Sequence, residues 1–198
     1  MGRPREFDET EALDAAMQCF WARGYEATSM RDLAERMGIT GASLYNAFGD
    51  KRRLFRRGLD RYLDNGVRER IARLRALPPR AAIAAYFNEI VTRTLADRER
   101  RGCMLVNCAL ELGSHNPALR RAVAAELGEI ESFFRDCIES GQADGTIAPG
   151  RPADDLARHL LAVVLGLSVL ARARPDRALL EGVVRPALAL LDTIGHKE

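Results

Sequence analysis

The stretch TSMRDLAERMGITGASLYNAF, residues 28–48, holds two short amphipathic helices joined by a tight turn. Met30, Leu33, Ala34 and Met37 recur at i, i+3, i+4 and i+7, the spacing of one helix face. Thr28 or Ser29 can cap this helix, and Gly38 can close it in a left-handed conformation. Thr40 can cap a second short helix that carries Leu44, Tyr45 and Phe48, before Gly49 ends it. Upstream, Leu13, Ala16, Met17 and Phe20 give a third apolar stripe that stops at Gly24. Three short helices with the turn at Gly38-Ile39-Thr40 predict a helix-turn-helix, whose second helix enters a DNA major groove.

That recognition helix runs from Gly41 to Phe48. Leu44 and Phe48 are four apart and face the core. This leaves Thr40, Gly41, Ala42, Ser43, Tyr45, Asn46 and Ala47 toward DNA. Small residues at its start permit close approach. Ser43 and Asn46 offer hydrogen bonds to base edges, Ala42 can meet a thymine methyl, and Tyr45 suits a phosphate. Net charge is only +2, so any basic footprint must come from clustering. Arg3 and Arg5 form an N-terminal arm, and Lys51, Arg52, Arg53, Arg56 and Arg57 crowd the start of a fourth helix. The Thr28/Ser29 cap is expected to offer backbone amides to a phosphate.

Working outward, helical periodicity continues and no strand is expected, so the predicted class is all-α with about nine helices. The fourth helix is expected over 51–76, before Pro78-Pro79, and the fifth carries Ile83, Tyr86, Phe87, Ile90, Val91 and Thr94. The sixth follows from Cys103, and the seventh opens at Asn116-Pro117. The eighth spans about 153–174, and the ninth starts after Asp176 and bends at Pro186. The expected division is a DNA-binding domain at 1–55 and a larger effector-sensing and dimerisation domain at 56–198, sharing the fourth helix.

With 47% apolar residues the chain is globular. The opening residues show no signal-peptide core, and the apolar run from Leu160 to Ala171 is shorter than a span of about 20 residues. A cytoplasmic protein with no membrane partner is expected. Cys19, Cys103, Cys108 and Cys137 should then be free thiols. No metal-ligand spacing or phosphate loop occurs, and His115, His159 and His196 stand in no catalytic motif, so neither a cofactor nor an enzyme is expected. A protein-interaction module on a helix-turn-helix is the alternative class, and a cysteine-dependent enzyme the remotest one.

Residues 16–55 resemble the N-terminal signature of the TetR family. The marks are Phe20, Gly24, Tyr25 and Thr28; Asp32, Leu33, Ala34 and Gly38; and Leu44, Tyr45, Phe48, Lys51, Leu54 and Phe55. The resemblance implies an Ω-shaped homodimer of nine- or ten-helix protomers that binds a double-stranded DNA operator and is released by a small-molecule effector. It implies phosphate contacts from Thr28, Ser29, Tyr45 and Lys51, and base reading by residues 40–46. Where many members carry histidines after the tyrosine, this chain has Asn46 and Ala47, which alters the bases read. It also implies dimerisation through the last two helices. Gly166 and Ser168 would allow close approach, and Leu179, Leu180, Val183, Val184, Ala187, Leu188, Leu191 and Ile194 widen the apolar face.

Residues 101–112, RGCMLVNCALEL, resemble a Gly-Cys…Asn…Glu stretch of a TetR subgroup that includes electrophile, unsaturated-acid and copper sensors. In the electrophile sensors the cysteine after the glycine is the reactive one, here Cys103. A helix N-terminus beside Arg100 and Arg101 favours a nucleophilic thiolate. Asn107 and Glu111 share its helical face. A reversible ligand held by Tyr62, Tyr86, Phe87, Phe133 and Phe134, with Asn107 or Glu111 as polar anchors, is the other sensor reading. Met104, Cys108, Glu111 and His115 form a stripe that leaves copper open as a third.

Overall fold

A computed structural model of the chain describes residues 7–112 and 117–192. Among them the ordered elements are all helical. The N-terminal unit comprises α1 (Glu9–Arg23), α2 (Met30–Met37) and α3 (Gly41–Phe48). Each starts on a side-chain cap. Asp8 accepts from the amides of Thr10 and Glu11, Ser29 from that of Asp32, and Thr40 from that of Ser43. Such a cap is worth about 1 kcal/mol, which helps helices of eight residues hold together. Gly38 (φ 67°, ψ 28°) takes the left-handed conformation that ends α2, and the Ile39 amide donates back to the Ala34 carbonyl. The turn therefore needs glycine.

α4 (Lys51–Leu63) packs along α1. Gly58 is buried at this contact, where the backbone of Met17 lies 3.6 Å from the position a Cβ would take, so the two helices run close together. Phe55 meets Phe20 edge-on at 4.9 Å, over a core of Ala16, Leu33, Leu44, Phe48 and Leu54, each fully buried. Arg61 binds Asp14 through two nitrogens, tying α4 to α1 well beyond residue 55.

The long fourth helix expected over 51–76 carries an interruption. Asp64–Arg68 forms a π turn before α5 (Glu69–Leu74) continues the same axis. Gly66, a poor helix former, sits buried at its centre. A π turn is a local insertion in a helix, often found at functional sites.

The C-terminal part adds α6 (Pro79–Ala96), α7 (Met104–Leu112), α8 (Pro117–Asp144), α9 (Ala153–Ala173) and α10 (Arg177–Ala189). α9 packs on α8 and α10, and α6 packs on α8. Tyr86, Phe87, Phe133 and Phe134 form an aromatic cluster between α6 and α8, with Phe87 stacked on Phe134 at 5.6 Å. α9 has the length and hydropathy of a membrane span, more than its unbroken apolar run suggested. Its buried side (Leu156, Leu160, Val164, Leu167) is core, whereas Val169 is 52% exposed.

Candidate nucleic-acid interface and effector cavity

On α3, Leu44 and Phe48 are fully buried, which turns Gly41, Ala42, Tyr45 and Asn46 outward. Tyr45 is 56% exposed, a high value for a large aromatic side chain with no packing role. Thr40 is exposed, but its hydroxyl already accepts from the Ser43 amide (3.1 Å) and donates to the Ser43 hydroxyl (2.9 Å). Ser43 is half-buried. Among the described residues, the side chains of Tyr45 and Asn46 on this helix face take no hydrogen bond, and the Ser43 hydroxyl, which accepts from Thr40, keeps its own O–H to donate. Arg3 and Arg5 lie outside the described residues.

Thr28 is not on the surface. It is fully buried, and its hydroxyl donates to the Gly24 carbonyl at 2.6 Å. Its side chain closes the α1–α2 turn and is withdrawn from phosphate contact. Ser29 alone caps α2, in a reciprocal box with Asp32. The Ser29 amide donates to the Asp32 carboxylate at 2.9 Å, so the cap is already partly occupied by an anionic group. These hydrogen bonds from Ser29 hold the Asp32 carboxyl below its ordinary range.

Lys51 stands at the first turn of α4. Its ammonium lies 4.3 Å from the centre of the Tyr25 ring and donates to the Glu26 carbonyl at 3.4 Å. Arg57 is paired with Glu9 at 2.5 Å. Arg52, Arg53 and Arg56 are exposed and take no ion pair among the described residues. The positive footprint beside α3 is thus Lys51 with three unpaired arginines.

A cavity of about 390 Å³ opens between α4, the π turn, α6, the 97–103 loop and α9. Of the residues expected to hold an effector, Tyr62, Tyr86 and Cys103 line it. The others lie elsewhere. Phe87, Phe133 and Phe134 are fully buried against one another, because α6 and α8 use them as their packing seam. Asn107 faces the loop and α9: its side-chain amide donates to the Arg101 carbonyl (3.0 Å), and its oxygen accepts from Arg172 (3.1 Å). Glu111 reaches the DNA-binding unit. Its carboxylate accepts from the backbone amides of Tyr25 (3.0 Å) and Glu26 (2.6 Å) in the α1–α2 turn. A Cβ on Gly24 would stand 2.6 Å from that carboxylate, and Gly24 has φ 85°, so glycine is needed there twice over.

Cys103 is half-buried, and the Tyr62 hydroxyl donates toward its sulfur at 3.7 Å. Burial, then the neighbouring thiol, pushes the Tyr62 hydroxyl well above its ordinary range, so it stays a donor. Arg101 is engaged by other partners. Its guanidinium is held by Asp97 and Gln18 and lies 4.1 Å from the centre of the Trp21 ring. Cys108 is buried, which pushes its thiol up to about 12. Of the copper stripe, Met104 and Cys108 are buried and Glu111 is committed to two amides, while His115 lies outside the described residues, among which no metal-ligating cluster occurs.

Sequence reasoning missed Trp21, Gly66, Val67, Arg70, Arg93, Val164 and Ser168 as cavity residues. Trp21 carried one signal, as the single tryptophan of the chain. Its indole N–H donates to the Gly102 carbonyl at 3.1 Å and its ring meets Tyr62 at 5.0 Å.

Two family models match the chain. Residues 12–57 match the bacterial regulatory proteins of the tetR family, and residues 79–186 match the tetracyclin repressor-like C-terminal domain. The chain belongs to the TetR family. It is 34% identical to the HTH-type transcriptional repressor ComR of Escherichia coli over 173 residues, 86% of this chain and 82% of that one. It is also 34% identical to the HTH-type regulator YezE of Bacillus subtilis, over 97% of this chain and 100% of that one. A cysteine mutant of the TetR family regulator CifR, solved with a 26-base-pair operator, is 40% identical. It superposes with a TM-score of 0.86 over 96% of this chain and all of that one. This TetR-family chain is a DNA-binding transcriptional regulator and not an enzyme.

Proposed function

We propose that this regulator is a cytoplasmic homodimeric repressor, released from its operator by a small molecule held in the 390 Å³ cavity. Relatives named as repressors support the direction of control. In this reading two copies of α3 enter successive major grooves of a near-palindromic site. Gly41 and Ala42 allow close approach, and Asn46 reads a base edge, helped by Thr40 and Ser43. Tyr45, Ser29, Lys51 and the unpaired arginines hold phosphates. The proposed division remains 1–55 for DNA and 56–198 for sensing and dimerisation, with α4 shared.

For the dimer, the outward sides of α9 and α10 carry Leu165, Val169 and Val183 beside Gly166 and Gly182, where a Cβ would meet nothing within 4 Å. Two such helices from each protomer make a four-helix seam. Ser168, Leu180, Val184, Ala187 and Leu191 belong instead to the protomer's own core, and Ile194 lies outside the described residues.

The observation that carries the sensor reading is that one short segment touches both sites. Residues 102–103 line the cavity, and eight residues later Glu111 grips the α1–α2 turn. This gives the Gly-Cys…Asn…Glu pattern a physical sense. Gly102 (φ 68°) turns the chain against Arg172, Cys103 faces the ligand, Asn107 anchors the loop to α9, and Glu111 holds the head. An effector that shifts α7 then shifts the head and the spacing of the two α3 helices. A second reading rests on the thiol facing the cavity. The Cys103 thiolate adds to the β-carbon of an α,β-unsaturated carbonyl. The S–C bond forms as the C=C π bond breaks, and the α-carbon takes a proton from water.

Fluorescence anisotropy on DNA from upstream of the chain's own gene tests this, at two salt concentrations, with and without N-ethylmaleimide. Tight binding that weakens steeply with salt is expected. Release by the electrophile in wild type but not in Cys103→Ser would establish the thiol switch; indifference would leave the non-covalent effector. Equal binding to every DNA sequence would refute the operator reading.

A further inference from the structure

We infer that the cavity takes an organic monoanion, a carboxylate on a single ring or a short apolar chain. The inference rests on reading this cavity as the effector site. Its apolar wall is Trp21, Tyr62, Tyr86, Ile90, Ile130 and Val164. Its volume of about 390 Å³ is near the lower end of ligand pockets, roughly 300–1,000 Å³. One ring with a short acidic arm fills such a space.

The charge of the wall sets the class. Four arginines, Arg70, Arg93, Arg100 and Arg101, face one carboxylate, Asp97. Asp97 and Arg101 are already bound to each other at 2.9 Å, and the Arg101 contacts hold the Asp97 carboxyl below its ordinary range despite partial burial. That pair cancels. Arg70 is 6% exposed, an unusual depth for a cation. Its one ionic partner among the described residues is Glu89, met through Nε at 3.2 Å. Glu89 is shared, since Arg73 grips both its oxygens at 3.0 and 2.9 Å. Arg73 is also met by Glu69 at 3.1 Å, so these two arginines and two glutamates balance, and the positive excess at the cavity wall begins with Arg100, which takes no ion pair among the described residues.

Arg93 adds to it. It takes no ion pair among the described residues, and its guanidinium stands 3.8 Å from where a Cβ on Gly66 would be. Arg93 thus sits against the π turn beside the cavity, at ordinary contact distance from Gly66. A planar guanidinium with its donors unspent, above an apolar floor, matches a carboxylate on an apolar body. A cationic ligand would meet uncompensated like charge. A neutral one would leave the excess unused.

Trp21 is the only tryptophan of the chain and lines the cavity, so its fluorescence reports occupancy of the full-length protein directly. Phenylacetate and hexanoate would be titrated against phenylacetamide and hexanamide at constant ionic strength. Each acid is expected to bind at least tenfold more tightly than its amide. Arg93→Gln, an exposed side chain whose loss leaves the core intact, should bring acid and amide to near equality. Cys103→Ser should keep the preference. Equal binding of acid and amide by wild type, tighter binding of the amides, or an undiminished preference in Arg93→Gln would each overturn the assignment. Silence of Trp21 toward all four compounds would overturn it too. If alkylation of Cys103 then still releases the operator, the effector cavity stands and only its ligand class falls.

Discussion

The head of this regulator and its C-terminal body use similar residue types in opposite ways. In the head, Leu44 and Phe48 sink into the core and leave Tyr45 and Asn46 outside. An eight-residue helix has one buried stripe, so its other face is readable from spacing alone. In the body, α6 and α8 are long and surrounded, and Tyr86, Phe87, Phe133 and Phe134 are all buried. Only Tyr86 also borders the cavity. An aromatic residue at helical spacing there says "inside" without saying whether inside means core or pocket. The surface of a small helical unit is a far more legible object than the interior of a large one.

The largest expected effect separates core from pocket. Phe134→Ala should cost about 3–5 kcal/mol of stability, the usual range for a truncated buried aromatic. Tyr62→Phe, which removes only the hydroxyl beside Cys103, should leave the unfolding midpoint nearly unchanged. Urea denaturation compares them. A small loss for Phe134→Ala would put that ring back among the pocket residues.

Within the head, Asn46→Ala should lose about 1–3 kcal/mol on the preferred operator and little on variants at the contacted base. Lys51→Ala should weaken all sequences alike, with a shallower salt dependence. Competition anisotropy over a panel of single-base operator variants reads both. Sequence-uniform losses from Asn46→Ala would move it from base reading to positioning.

Smaller effects come from titration in the body. Burial pushes the Cys108 thiol and the Tyr86 hydroxyl each up to about 12, and Tyr62 well above its usual range. A folded-state pKa raised in this way gives stability that is complete below the unfolded value. It is lost as pH rises through the folded one. The thermal midpoint should therefore fall from the ordinary thiol range toward pH 12. Cys108→Ala should flatten the first part of that fall, and an unchanged profile would mean the thiol is not in an apolar site.

The all-α class, the element order and the turn at Gly38 were legible because caps, glycines and prolines act locally. The π turn at Asp64–Arg68 was not, since nothing but Gly66 distinguishes that segment from ordinary helix. Thr28 was misplaced because a threonine before a helix looks like a cap. Here Ser29 takes that role and Thr28 donates back to Gly24. Asn107 and Glu111 share a face with Cys103, and from that the sequence suggests a common pocket. A nine-residue helix is long enough for one face to serve two neighbours, and Glu111 at its far end belongs to the head.

That carboxylate is where the two regions meet, and it offers the most direct test. Glu111 fixes the α1–α2 turn through two charge-assisted hydrogen bonds, so the head is held in orientation before it meets DNA. A loosened head must pay that ordering on binding. Operator affinity should be measured for wild type and Glu111→Ala, with helical content matched by circular dichroism. The account predicts binding at least fivefold weaker for the variant, although the substitution lies outside the DNA-contacting unit. Equal affinity would mean that α7 does not position the head.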